Sequence, residues 1–140
     1  MNKFSDDNLC FVCGENNPHG LQFKFEYLEK PDQVSVEINF PEKYQGWQGV
    51  VHGGLISTVL DEVMVKATGF RNLICVTAEL LVKFKKPAFT NTPYRATGTI
   101  LEIKRKLVFT EGFLLDRENN IIASARGNFF VVGDKHNMGS

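Results

Sequence analysis

The stretch "GWQGVVHGGLISTVLDEVM", residues 46–64, decides the reading of this chain. Glycines and a histidine run directly into an apolar segment that carries the carboxylate Asp61 two turns past Gly53. Ile56, Val59, Leu60, Val63 and Ala67 recur at the i, i+3, i+4 spacing of one helical face. The spacing predicts a helix over residues 54–68, with Gly69 as its C-terminal cap. Glu62 and Lys66 stand four apart on the opposite side, as a solvated pair would. Ser57, Asp61 and Thr68 fall on the border between the two faces. Leu55 and Val65 widen the apolar surface, so this helix is expected to be covered on most sides.

Strand patterns flank it. Before it, Leu21, Phe23, Phe25 and Tyr27 alternate with polar residues through residues 21–29. Val34, Val36, Ile38 and Phe40 alternate through residues 33–40, after a turn at Pro31-Asp32, and the pair reads as a hairpin. After the helix, residues 76–85, 94–104, 107–116 and 121–132 read as a four-strand meander. Two strands, one long helix and four more strands predict an α+β domain, a curved antiparallel sheet of about six strands around one central helix. Residues 1–20 read as a loop or cap, 21–133 as the domain, and 134–140 as a loose tail.

Composition excludes several functions. The 140 residues are the size of one ordinary domain. Sixteen basic residues balance sixteen acidic ones, so no global charge draws the chain to nucleic acid or a membrane surface. No apolar run reaches the roughly 18 residues of a transmembrane helix, and the first ten residues have no signal-like apolar core. Three cysteines, an odd number, argue against a disulfide framework and fit a reducing, cytoplasmic setting. Dinucleotide, phosphate-loop and serine-hydrolase signatures are absent.

The candidate chemistry gathers around the helix. A glycine pair before a helix is commonly a plain turn. At an exposed helix start, though, its free N–H groups can face a substrate oxygen, and the helix dipole favours a developing oxyanion there. Asp61, at the edge of the apolar face, is placed to be partly desolvated, which raises a carboxylate's pKa and suits it to act as base or nucleophile. His52 on its own reads as a structural hydrogen-bonder. Cys10 and Cys13 with His19 have thiolate-ligand spacing, but Asp6, Asp7 and Glu15 are the only nearby candidates for a fourth ligand, so no metal is expected. Lys83, Lys85 and Lys86, and later Lys104, Arg105 and Lys106, cluster at strand ends, where basic runs are usually solvated but can meet a nucleotide phosphate.

Gly46-x-x-Gly49-x-x-His52-Gly53-Gly54 followed by Asp61 resembles the hot-dog-fold acyl-CoA thioesterases of the phenylacetyl-CoA and 4-hydroxybenzoyl-CoA thioesterase-like branch. Cys13-Gly14-x-x-Asn17-Pro18-x-Gly20-Leu21, and the run Val76-Thr77-Ala78-Glu79-Leu80 leading to Lys86-Pro87-Ala88, resemble further family segments. The resemblance implies hydrolysis of a fatty or aromatic acyl-CoA without a cofactor. It gives Gly53 an oxyanion-hole N–H, Asp61 the role of general base or nucleophile, and Thr77 that of positioning water or the carboxylate. It sets His52 beside the thioester and implies substrate contacts at Gly46, Gln48 and Gly54. At Gly46 several members carry an asparagine; Gln45, Gln48 or a backbone group would stand in for it here. The resemblance also implies an edge-to-edge homodimer, or a tetramer of two dimers, with sites shared between chains. A non-catalytic acyl-CoA-binding module on the same fold is the alternative, and such a binder has no need of Asp61.

Overall fold

A computed structural model describes residues 4–28 and 30–135. The helix α1 spans Gly53–Ala67 and buries Ile56, Val59, Leu60, Val63 and Ala67, the face its periodicity predicts, together with Met64. The strands are β1 (Glu26–Tyr27), β2 (Gln33–Asn39), β3 (Leu73–Phe84), β4 (Pro93–Lys104), β5 (Leu107–Leu115) and β6 (Ile121–Asp134). They form one antiparallel sheet in the order β1-β2-β4-β5-β6-β3. The helix contacts every strand from β2 to β6. Five strands about 4.8 Å apart span roughly 19 Å, wider than the helix they touch, so the sheet has to curl around it. This is the hot-dog arrangement.

Small residues let the helix sit low. Gly98 of β4 lies directly beneath the Val63 carbonyl, where a Cβ would collide with backbone. Gly112 of β5 and Gly127 of β6 continue the depression, and a Cβ on either would come within 3.1 Å of the Met64 side chain. Gly98 and Gly112 are direct cross-strand partners. Around this trough Val34, Val36, Phe40, Leu114 and Phe129 close the core.

Three expectations need correction. The meander comprises β4, β5 and β6 alone: β3 crosses to pair with β6 at the far edge, while β4 pairs with β2. Alternation reports which face of a strand is buried and carries no information about its neighbour. The expected strand over residues 21–29, of which Glu29 lies outside the described residues, pairs with β2 only at Glu26–Tyr27. The Leu21 and Phe23 amides donate instead to the Phe11 and Val12 carbonyls, tying this segment to the N-terminal loop while Phe23 and Phe25 still pack on the core. The helix also does not cap at Gly69. It tightens into a 3-10 turn at Thr68–Arg71, and Asn72, with φ 55°, makes the left-handed exit. Gly69 is small because the Tyr27 hydroxyl occupies the space a Cβ would need.

β6 runs to Asp134, two residues beyond its predicted end, and the Lys135 amide bonds the Asn72 carbonyl. Of the expected tail, residues 136–140 lie outside the described residues.

Candidate active site

The start of α1 accounts for its own free amides, with one exception. His52 is the N-cap residue, and its Nδ1 accepts from the Gly54 N–H at 2.9 Å. This puts the proton of a neutral imidazole on Nε2. The Leu55 and Ile56 amides both reach the His52 carbonyl. Among the described residues the Gly53 N–H has no partner. It is the first donor of a fifteen-residue helix and carries the positive end of the dipole. Gly54, expected to contact substrate, has its amide engaged by His52 and so stabilises the cap.

The glycine-rich loop holds that donor in place. The Gly46 amide bonds the Val50 carbonyl at 2.8 Å, and the amide of Gly49, whose own φ is 76°, bonds Gln45 Oε1 at 2.9 Å. Gln45 is therefore committed to closing the loop. The Val51 amide bonds the Ala88 carbonyl, and the His52 amide bonds the Tyr44 carbonyl. In front of Gly53 opens a cavity of about 880 Å³ whose lining includes Gly46, Trp47, His52, Phe84, Lys85 and Lys86. Gln48 is exposed and is not part of the lining. Trp47 was not among the expected site residues. Its signal in the sequence is a large aromatic inside a glycine loop, and it stands 86% exposed at the cavity wall. The Lys85 and Lys86 amides both bond the Ile122 carbonyl, which fixes the two lysines at the end of β3.

Asp61 lies elsewhere on the helix, with Thr77. The Thr77 hydroxyl donates to Asp61 Oδ1 at 2.7 Å. A β-bulge at Ala78, between the pairs Thr77↔Phe129 and Glu79↔Asn128, follows directly. Without it Thr77 and the core-packed Leu80 could not share a face, since odd spacings alternate sides. Burial pushes the Asp61 carboxyl above the usual carboxylate range, and the Thr77 hydrogen bond opposes part of that rise.

The two halves are separated within one chain. Eight residues at 1.5 Å rise put Gly53 and Asp61 about 12 Å apart along the helix. A single carbonyl group cannot meet both. The structure thus groups Gly46, His52, Gly53 and Gly54 at one place, and Asp61 with Thr77 at another.

Glu62 corrects a further expectation. Its side chain is only 15% exposed and faces the N-terminal loop, where Cys10 and Cys13 both donate to Oε1; the ion pair to Lys66 is long, at 3.9 Å. Burial pushes the Cys13 thiol up to about 12, with contact to Cys10 and the nearby Glu62 charge adding to the rise. Helical periodicity placed Glu62 away from the sheet correctly. It could not reveal that residues before β1 fold back over that face.

The model of the thioesterase superfamily matches residues 48–123, more than half of the chain. An uncharacterized protein of Schizosaccharomyces pombe is 26% identical over 140 residues, covering 95% of this chain and 80% of its own. A solved structure described as a thioesterase superfamily protein aligns with a TM-score of 0.81 at 25% identity, over 89% of this chain; the match spans 60% of that longer chain. A Streptococcus mutans protein solved with acetyl-CoA aligns with a TM-score of 0.74 at 20% identity, over 80% of this chain and 90% of its own.

Proposed function

The chain belongs to the thioesterase superfamily, and from that premise we propose that it hydrolyses an acyl-CoA at a site shared between two copies, Asp61 and Thr77 from one and Gly53 from the other. The observation that carries this reading is the separation of a free helix N–H from a desolvated, Thr77-bonded carboxylate on the same helix. The direction of β3 supplies the rest. Helix α1 and β3 run antiparallel, with Gly53 beside the Phe84 ring and Asp61 bonded to Thr77. A two-fold axis near the middle of β3, between Leu80 and Leu81, would set Thr77 of one chain near Phe84 of its partner. That brings Asp61 of one protomer towards Gly53 of the other. β3 is a twelve-residue edge strand whose outer side pairs with nothing among the described residues. Leu81 near the axis is 58% exposed and Phe84 is 52% exposed. Such an edge invites a second strand, and a closed two-fold dimer is the commonest way to supply one.

In this arrangement Asp61 takes a proton from water as the water oxygen attacks the thioester carbon. The carbonyl electron pair moves to oxygen, and the Gly53 N–H holds that oxyanion. Collapse breaks the carbon–sulfur bond, and the coenzyme A thiolate takes the proton from Asp61. The products are a free acid and coenzyme A. Direct attack by the Asp61 carboxylate uses the same geometry, and label entering Asp61 during single turnover in ¹⁸O-labelled water identifies that route. The acetyl-CoA bound by the Streptococcus mutans relative supports a coenzyme A thioester as substrate. The cavity has room for the thioester end, and Lys85 and Lys86 at its rim match the charge of the nucleotide phosphates.

The test is thiol release from a panel of aliphatic and aromatic acyl-CoAs by the wild type and Asp61→Asn. Loss of the carboxylate should lower the rate about 10²- to 10⁴-fold on whichever thioester the wild type cleaves. Full activity in a folded Asp61→Asn protein refutes this mechanism. Binding without any wild-type hydrolysis across the panel establishes the acyl-CoA-binding module instead.

A further inference from the structure

The second cluster of chemical groups lies where the N-terminal loop meets α1, outside the hydrolytic machinery. Glu62 Oε1 stands 3.8 Å from Cys10 Sγ and 3.4 Å from Cys13 Sγ. The three ligand atoms all lie within 4.8 Å of one another, and all three side chains are half-buried. Tetrahedral zinc with Zn–S near 2.3 Å and Zn–O near 2.1 Å sets sulfur and oxygen about 3.6 Å apart, and two sulfurs about 3.8 Å apart. The observed sulfur–oxygen separations bracket that spacing. We propose that Cys10, Cys13 and Glu62 bind one zinc-class divalent cation, which pins the N-terminal loop to the helix.

The ligands are held by backbone that leaves little freedom. The Gly14 amide closes the turn onto the Cys10 carbonyl at 2.9 Å. A Cβ at Gly14 would stand 2.5 Å from the Cys10 nitrogen and 2.6 Å from the Asn8 carbonyl oxygen, so only glycine allows the tight curl that turns both thiols to one side. Val12, between them, is buried and bonded to the Phe23 amide. Glu62 is fixed by its helix. The expectation that no metal binds rested on ligands close in sequence, and His19, the nearest of these, is exposed and outside the cluster. The third ligand arrives instead from 49 residues beyond Cys13.

Charge agrees with the geometry. Two neutral thiols, one carboxylate and the Lys66 ammonium sum to zero. A dication with two thiolates, the same carboxylate and Lys66 also sums to zero, the two thiol protons passing to solvent. Three protein ligands leave a fourth position, which opens to an adjoining cavity of about 320 Å³ where water completes the tetrahedron.

The experiment is a titration of the reduced, chelator-stripped full chain with cobalt(II). One equivalent should give the bands of a tetrahedral ion together with a near-ultraviolet thiolate-to-cobalt charge-transfer band, and zinc(II) should bleach both. Cys10→Ser and Cys13→Ser should each weaken the charge-transfer band, and Glu62→Gln should weaken affinity at least about tenfold, as loss of even an outer-sphere partner does. Cys75→Ser should change nothing, which separates this site from the third cysteine on the cavity wall. Thiols that only hydrogen-bond to Glu62 give no charge-transfer band in the wild type, and that result overturns the proposal. So does a band undiminished by the loss of Cys13. Neither readout depends on thioester hydrolysis, so this site stands or falls apart from the proposed activity.

Discussion

Gly53→Pro removes one hydrogen-bond donor and leaves nearly everything else in place. Proline lacks the N–H, and it is favoured at the first position of a helix, which Gly53 occupies. The residue before a proline must be extended, and His52 already is, with φ −60° and ψ 129°. A Cβ at Gly53 would meet only the Phe84 ring at 3.6 Å, an ordinary contact. The His52 cap uses the Gly54 amide and survives. The variant should therefore fold with a melting temperature close to that of the wild type. Removing one oxyanion donor costs about 2.7–4 kcal/mol in the transition state, roughly 10²–10³ in kcat. KM for the best acyl-CoA should change little, because the donor serves the oxyanion more than the ground-state carbonyl. Gly53→Ala is the matched control: it adds the Cβ and keeps the N–H, and should stay within a few-fold of wild type. The assay is thiol release under saturating substrate, with folding checked by circular dichroism. Wild-type kcat in a folded Gly53→Pro protein, or equal losses in the proline and alanine variants, refutes the oxyanion assignment.

Two further predictions concern the scaffold. Gly98→Ala drives a methyl group into the Val63 carbonyl, backbone that cannot rotate aside. It should destabilise the chain by about 3 kcal/mol, the upper end of overpacking costs, and lower the melting temperature by roughly 10 °C; an unchanged denaturation midpoint would contradict the packing. Arg71 makes a two-pronged contact with Asp32, 2.8 Å from Nε and 2.9 Å from a terminal nitrogen, and it holds the Asp32 carboxyl below the usual range. A depressed folded value stabilises the protein above the unfolded pKa, near 3.9, and that contribution fades as pH falls through the folded value. Because Arg71 is half-exposed the effect is screened to about 0.2–1 kcal/mol. Urea denaturation should show wild type more stable than Asp32→Asn at pH 7 and the gap closing towards pH 3; a gap constant across that range argues against the ion pair.

Burial patterns were legible in the sequence, and pairing was not. The spacing of Ile56, Val59, Leu60 and Val63 located the helix to within a residue, because a face that packs on a sheet must repeat every 3.6 residues. Alternation located β4, β5 and β6 for the same reason. It could not place β3 beyond β6, since the burial of Cys75 and Leu80 is compatible with several neighbours. The alternation in residues 21–25 reflected real packing by Phe23 and Phe25, yet those amides bond a loop instead of a strand. At the site, the glycine loop and Asp61 stood out as motifs. Their 12 Å separation follows from helix rise alone, about 1.5 Å per residue, but its consequence shows only once β3 is seen as an open edge. Glu62 was misread because a helical wheel has two faces, whereas this helix is covered on a third side by residues far away in sequence.

The shared site is tested most directly by complementation. Gly53→Pro and Asp61→Asn chains, each nearly inactive alone, are co-expressed with different tags, and the mixed dimer is isolated by sequential affinity steps. In a mixed dimer one site draws its Asp61 from the first chain and its Gly53 from the second, so it is intact, while the other site lacks both. The account predicts that the isolated mixed dimer recovers about half of the wild-type kcat per dimer, one of two equivalent sites in a closed two-fold pair. Activity no higher than that of either parent, in a verified mixed dimer, contradicts it and returns both residues to a single chain.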